Sequence, residues 1–255
     1  MKEKIDGKTV LITGASSGIG YELAKQLAQK GCRLILIARR DELLRQLIDS
    51  LAGNGEKHKY YKCDVSDQGA VEKVCRDILN SEKRIDILIL NAGVSSGYKP
   101  PDLDIENIKF QFDVNFWGVL YFIKYLLPSM IERNEGLVAA TGSPAGFRGM
   151  PKSAPYSAGK AALDRFMESL RIDFWKTNVH FTLITPGFVK SPMTDSNDFY
   201  MPFLMPVEKA ARIIIKGLEK KKPEICFPWR LCCIAKSARI LPPRFYAWIM
   251  QNRKK

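Results

Sequence analysis

The sequence predicts one doubly wound α/β domain built on a parallel sheet, and three observations lead there. Short runs rich in β-branched and aliphatic residues recur along the chain, with helix-period stretches between them. The alternation is nearly regular, with no linker rich in Gly, Ser or Pro and no internal repeat. The 255 residues, 46% hydrophobic and 26% charged, suit a single large folded domain rather than a disordered or collagen-like chain.

Residues 9–13 (TVLIT) open the series. A short apolar run of this kind, rich in β-branched residues, reads as a strand covered on both faces. Residues 33–38 (RLILIA), 85–90 (IDILIL), 137–141 (LVAAT) and 179–184 (VHFTLI) repeat the pattern, and 59–63 (KYYKC) is a weaker case. Residues 21–28 have helical periodicity, and further helices are expected to start near Asp41, Asp67, Ile105, Pro155 and Val207. The expected division is a domain over 1–223 and a basic, aromatic extension over 224–255, packed on the domain or flanking it. Within the extension Pro242 and Pro243 separate two short helical pieces.

The formal net charge is +13, and it is unevenly placed. Residues 216–255 hold eleven Lys or Arg against Glu219 and Glu224, so they carry +9 and the first 215 residues only +4. A basic chain suggests a phosphate-bearing ligand, an anionic membrane surface or nucleic acid. Six cysteines without a CxxC pair, and only two histidines (His58 and His180), give no support for a metal site or a disulfide framework. The first residues have no apolar core of a secretory signal, and no run reaches the roughly 18 apolar residues of a spanning helix. A reduced, cytoplasmic protein is expected.

The first strand runs into Thr13-Gly14-Ala15-Ser16-Ser17-Gly18-Ile19-Gly20, and a helix follows at once. Glycine lets such a turn approach a pyrophosphate closely, and the helix N-terminus offers free N–H groups and partial positive charge. A Gly-rich turn that binds nothing is the plain alternative. The spacing G-x-x-x-G-x-G resembles that of the short-chain dehydrogenase/reductase family, whose other motifs follow in order over about residues 8–217. The resemblance implies a Rossmann-type fold with Gly14, Ser16, Ser17, Gly18, Ile19 and Gly20 at the cofactor.

At the end of the second strand, Ala38 stands where the family's NAD-preferring members carry Asp, and Arg39 and Arg40 follow. A neutral residue before a fork-shaped donor suits a 2′-phosphate, so the resemblance implies NADP(H). Arg39 is then its contact, with Arg40 also at the cofactor and Ser16 or Ser17 on the same phosphate; a solvated helix start is the alternative. By the same resemblance Asp64 and Val65 flank the adenine, and Asn91-Ala92-Gly93 supports the sheet beside the cofactor.

Tyr156-Ser157-Ala158-Gly159-Lys160 is the family's Y-x-x-x-K motif, and four residues of helix put the phenol and the ammonium on one face. Positive charge nearby lowers a phenol pKa from its usual value of about 10. Such a tyrosine serves as general acid or base. Ser143 lies thirteen residues upstream in Thr141-Gly142-Ser143-Pro144-Ala145-Gly146, where the family places the serine that orients the carbonyl; Gly142 replaces the family's usual Ser. Asn115 matches the family's fourth catalytic residue. The resemblance implies that Tyr156 transfers the proton, Ser143 holds the carbonyl, Lys160 lowers the tyrosine pKa and binds the nicotinamide ribose, and Asn115 completes a proton relay.

Beyond the sixth strand, Pro186, Gly187, Val189 and Ser191 match the family's segment beside the nicotinamide. Polar turn formers over 194–198 precede a dense apolar cluster. Phe188, Met193, Phe199, Tyr200, Met201 and Phe203, with Met205, suggest an apolar substrate under a closing lid, or else a core or a subunit interface. For the tail, two readings stand: peripheral attachment to an anionic membrane, or packing across a dimer. The expected protein is an NADP(H)-dependent oxidoreductase on a ketone, aldehyde or alcohol, a homodimer or homotetramer, binding no nucleic acid and no metal. Its rivals are a cofactor-binding scaffold without catalysis and a membrane-surface interaction protein.

Overall fold

The strands are β1 (Thr9–Thr13), β2 (Arg33–Ala38), β3 (Lys59–Lys62), β4 (Ile87–Leu90), β5 (Gly136–Thr141), β6 (Val179–Pro186) and β7 (Glu224–Phe227). In the computed structural model they form one parallel sheet in the order β3-β2-β1-β4-β5-β6-β7. The structure describes residues 5–51, 57–97, 101, 103–195, 197 and 199–252.

Alternate strand residues face opposite sides, and both sides are covered. Val10, Ile12, Leu34, Leu36, Ile87 and Ile89 join the core beneath α1 (Gly18–Gln29), α2 (Asp41–Ser50) and α8 (Val207–Leu218). Their neighbours Leu11, Ile35, Ile37, Leu88 and Leu90 face α3 (Gln68–Ser81), α5 (Gly118–Glu132) and α6 (Ala154–Asp173). The chain winds outward from β1 to β3 and then returns to β4 on the other side of β1. That reversal leaves a crevice at the carboxyl ends of β1 and β4, where α/β sheets of this type bind ligands.

α4 (Ile105–Phe112) runs through one π-helical turn, Asp113–Trp117, into α5. The merged helix, Ile105–Glu132, is long and apolar enough by length and composition to cross a membrane. The count of consecutive apolar residues missed it. Half of its most apolar stretch is buried, and Phe122, Leu126 and Met130 lie in the core against the sheet, so its apolarity belongs to the core.

Two further expectations are corrected. The boundary at residue 223 falls before β7, which pairs with β6 from Leu183↔Glu224 to Pro186↔Phe227 and so belongs to the sheet. Only Ile225 and Phe227 of that short strand are buried, too weak a pattern to read in sequence. The extension proper is α9 (Trp229–Ser237) and α10 (Pro243–Gln251), on either side of Pro242 as expected. The cysteines are not all reduced: Cys226 and Cys232 form a disulfide, because the turn from β7 into α9 brings their Cα atoms within 6.0 Å.

Candidate active site

β1 ends in Thr13, whose hydroxyl accepts hydrogen bonds from the backbone N–H groups of Asn91 and Ala92, both at 3.0 Å. Asn91 donates from its side chain to the Thr13 carbonyl at 3.3 Å and accepts from the Thr141 hydroxyl at 3.3 Å. Three strand ends are thus tied together, and the sheet-supporting role expected of Asn91 has its geometry.

Glycine is required twice in the turn above them. Gly14 has φ +69°, and a Cβ there would lie 2.9 Å from the Ala92 Cα. At Gly20 a Cβ would lie 2.4 Å from the Gly14 carbonyl oxygen, so α1 starts in contact with the end of β1. This close turn at a helix N-terminus, with no Cβ at Gly14, Gly18 or Gly20, fits a dinucleotide's pyrophosphate. Gly20→Ala is expected to cost about 1–2 kcal/mol, since overpacking (about 1–3) exceeds the gain in helix propensity (up to about 1). Thermal unfolding checks this: the Tm should fall by at least about 2 °C, and an unchanged Tm would show slack in the turn. Ile19 packs toward the core on the α1 side, and Val65 is buried in the opposite core.

Arg40, rather than Arg39, reaches the two serines. Its guanidinium donates to Ser16 Oγ at 2.8 Å and to Ser17 Oγ at 2.7 Å. Arg39 instead lies 3.7 Å from Asp64 Oδ2, while Asp64 Oδ1 accepts from the Ser66 hydroxyl at 2.7 Å. Sequence spacing does not tell which of two adjacent arginines turns back over the glycine loop.

Asn115 is fully buried in the π-helical turn. Its side chain accepts from the Val94 N–H at 3.1 Å and donates to the Val94 carbonyl at 2.8 Å. The extra residue of a π turn re-aims a side chain without ending the helix, and this turn carries Asn115. A Cβ on Gly93 would lie 3.0 Å from Asn115 Oδ1 and 3.5 Å from Lys160 Nζ, so these three residues meet at one point.

Ser143 follows β5 and starts a short 3-10 turn, Pro144–Gly146, with its hydroxyl accepting from the Ala145 N–H at 3.2 Å. Gly146 packs on the catalytic-motif helix: a Cβ there would lie 2.9 Å from both the C and O atoms of Lys160. Tyr156 sits in the first turn of α6, with Pro155 before it. Burial raises the Tyr156 phenol pKa above its ordinary value, and a hydrogen bond with Ser143 opposes that rise. Lys160, one turn on, donates from Nζ to the Thr141 carbonyl at 2.7 Å and lies 5.7 Å from the centre of the Tyr156 ring. Burial lowers its pKa to about 8.

The expectation that Lys160 lowers the tyrosine pKa is therefore corrected for this state. The ammonium is turned to a backbone carbonyl, and desolvation dominates at the phenol. Sequence reasoning named the four polar side chains but missed Thr13, Gly146 and the Thr141 carbonyl; Thr13 and Gly146 were visible only as the edges of motifs.

After β6, Gly187 donates to the Phe227 carbonyl at 2.7 Å and Val189 forms a bridge with Met205. Gly18 faces this segment, since a Cβ on it would lie 3.2 Å from the Ser191 Cβ. Ser191 donates its N–H to Thr194 Oγ1 at 2.9 Å at the start of α7 (Pro192–Asp195). Phe188 and Phe199 meet edge to face at 5.9 Å. Met193, Phe199, Tyr200 and Phe203 are exposed and Met201 is half-buried. Met205, by contrast, is a core residue. Ser196 and Asp198 of the turn lie outside the described residues. No group of three His, Cys, Asp or Glu residues able to hold a metal occurs among the described residues.

The profile of the short chain dehydrogenase family matches residues 8–199. An uncharacterized oxidoreductase of Myxococcus xanthus is 38% identical over 235 residues, 92% of this chain and 93% of its own length. An 11-beta-hydroxysteroid dehydrogenase A of Sesamum indicum is 31% identical over 257 residues, 91% of this chain and 73% of its own. Among solved structures, a short chain dehydrogenase/reductase from Burkholderia phymatum in complex with NAD superposes with a TM-score of 0.84 at 22% identity, over 99% of this chain and 98% of that one. The closed form of a serine dehydrogenase complexed with NADP+ gives 0.73 at 29% identity, over 81% and 87%.

Proposed function

The chain belongs to the short-chain dehydrogenase family of oxidoreductases, and on that premise we propose that it interconverts a ketone or aldehyde and an alcohol with NADP(H). The observation that carries this reading is the convergence of Ser143, Tyr156, Lys160 and Asn115 at the carboxyl ends of β4 and β5. The complete set favours catalysis over a scaffold without it.

When bound, the nicotinamide supplies or takes the hydride. The chain's own residues do the rest. The glycine turn with Gly14, Gly18 and Gly20 receives the pyrophosphate. Asn91, Ala92, Gly93, Pro186, Gly187, Val189 and Ser191 border the nicotinamide side, with Asp64 and Val65 toward the adenine. Ser143 donates to the substrate oxygen and fixes its position. Tyr156 holds its proton at neutral pH, as a phenol with an ordinary pKa of about 10 does and as burial, which raises that pKa, reinforces, and gives it to the oxygen as the carbonyl is reduced. Lys160 holds positive charge beside the phenol and offers donors to a ribose, and Asn115 fixes the backbone next to it.

Ala38 followed by Arg39 and Arg40 supports NADP(H) over NAD(H). Arg40 on Ser16 and Ser17 forms a three-donor cluster for a 2′-phosphate. Arg40→Ala should weaken NADPH binding by about tenfold, equivalent to about 1.4 kcal/mol, and leave NADH binding unchanged. Fluorescence titration with both cofactors checks this; equal loss for both would refute the phosphate assignment. Exposed Phe199, Tyr200 and Phe203, the first of them against Phe188, support an apolar substrate, as does the steroid named for the sesame relative. Outward Trp117, Ile172 and Trp175 support assembly as a homodimer or homotetramer. NADPH oxidation against short, aromatic and long-chain ketones tests the activity, and inertness toward all of them would overturn it.

A further inference from the structure

After Glu224 the chain contains no acidic residue and seven Lys or Arg. Within this stretch α9 turns Leu231 and Cys232 inward. Large apolar side chains point the other way: Trp229 is 69% exposed, Ile240 86%, Phe245 50% and Trp248 61%. Arg230, Arg239 and Arg244 are exposed among them. Arg230 lies 5.5 Å over the Trp229 ring, and the Phe245 and Trp248 rings stack at 5.9 Å.

This surface is held firmly, so its exposed aromatics are a feature of the fold. Arg148 donates to the carbonyls of Ala238 and Leu241 and lies 4.1 Å over the Tyr246 ring. The Tyr246 hydroxyl donates to the Gly149 carbonyl at 2.8 Å, and Leu231 packs against Gly187. Both anchoring points follow strand ends: Arg148 and Gly149 lie just beyond Ser143, and Gly187 just beyond β6. The extension therefore sits at the same end of the sheet as Tyr156.

We propose that the outer surface of α9 and α10 docks on an anionic lipid bilayer. A partner must offer apolar material and negative charge together, and acyl chains beneath anionic headgroups do so. Helices of nine residues each are too short to span a hydrocarbon layer of about 30 Å, so they lie in its interface. Tryptophan suits that depth, with an apolar body and one N–H donor. A second copy of the chain fits less well, because a two-fold contact sets Arg230, Arg239 and Arg244 against their own counterparts.

The test is sedimentation of the full chain with vesicles of phosphatidylcholine alone and of phosphatidylcholine mixed with phosphatidylserine. The chain should bind the phosphatidylserine vesicles and be released by added salt. At about 1 kcal/mol for each basic residue at the surface, the triple variant Arg230→Ala, Arg239→Ala, Arg244→Ala should bind on the order of a hundredfold more weakly. Trp229→Ser with Trp248→Ser should lower binding at least about tenfold. All of these side chains are exposed, and NADPH binding by the variants should match the parent chain. No sedimentation with phosphatidylserine, equal binding to both vesicle types, or unchanged binding of the triple variant would overturn the proposal. Self-association that the variants abolish would overturn it in favour of a second copy. Vesicle binding and ketone reduction are read separately, so failure of one leaves the other standing.

Discussion

Tyr156→Phe is expected to lower ketone turnover by about a thousandfold or more, as removal of a general acid does, while NADPH binding stays essentially unchanged. The substitution keeps the ring and removes only the hydroxyl. Its ring packing in the first turn of α6 is retained, so the fold and the glycine turn are untouched. What disappears is the phenol's proton, together with its hydrogen bond to Ser143. Ser143 still positions a carbonyl, but the developing alkoxide has no donor placed to neutralise it. Single-turnover measurements with saturating NADPH separate the chemical step from binding. Residual turnover within about tenfold of the parent would remove Tyr156 from the role of proton donor.

Lys160→Met is expected to abolish turnover and yet raise the stability of the cofactor-free protein. Lys160 is 3% exposed, and burial lowers its pKa from 10.5 to about 8. Between those values the unfolded chain binds the proton more often than the folded one, so this group's contribution to stability rises as pH rises from about 8 to 10.5. Below that window the full cost of burying the charge is present, at most about 3 kcal/mol. Methionine fills similar volume without charge. The hydrogen bond to the Thr141 carbonyl is lost, worth about 1 kcal/mol. A net gain of about 1–2 kcal/mol at neutral pH corresponds to a Tm higher by about 2–8 °C. The difference should shrink on raising the pH toward 10.5, where the parent's lysine is also neutral in the fold. A lower Tm for the variant at neutral pH would contradict the assigned burial cost. Stability and catalysis oppose one another at this position, as they do where a site keeps a buried charge for use.

Much of the fold was legible because buried parallel strands carry an uninterrupted apolar signal. β1 and β2 lie where the runs 9–13 and 33–38 put them. β7 escaped because it has one covered edge and only two buried side chains. Of the four polar residues of the site, Tyr156 and Lys160 were legible as a pair on one helix face, whereas Ser143 and Asn115 were legible only through the family resemblance. Spacing did not reveal which way a flexible side chain turns. Arg40 rather than Arg39 meets the serines, and Lys160 turns to Thr141. Nor did it reveal Cys226 beside Cys232, since that pairing depends on the path of the turn between a strand and a helix.

Gly146 has a consequence for how the site keeps its dimensions. The loop bearing Ser143 rests directly on the backbone of Lys160, with no side chain between them. The gap between the serine hydroxyl and the phenol is therefore gauged by two main chains in contact, not by the lengths of intervening side chains. A methyl group at this position would act as a shim, lifting the Ser143 hydroxyl away from the Tyr156 phenol without altering either side chain. The separation of Ser143 and Tyr156 is thus set by backbone contact at the base of the site, independently of the apolar segment after β6 and of the C-terminal helices.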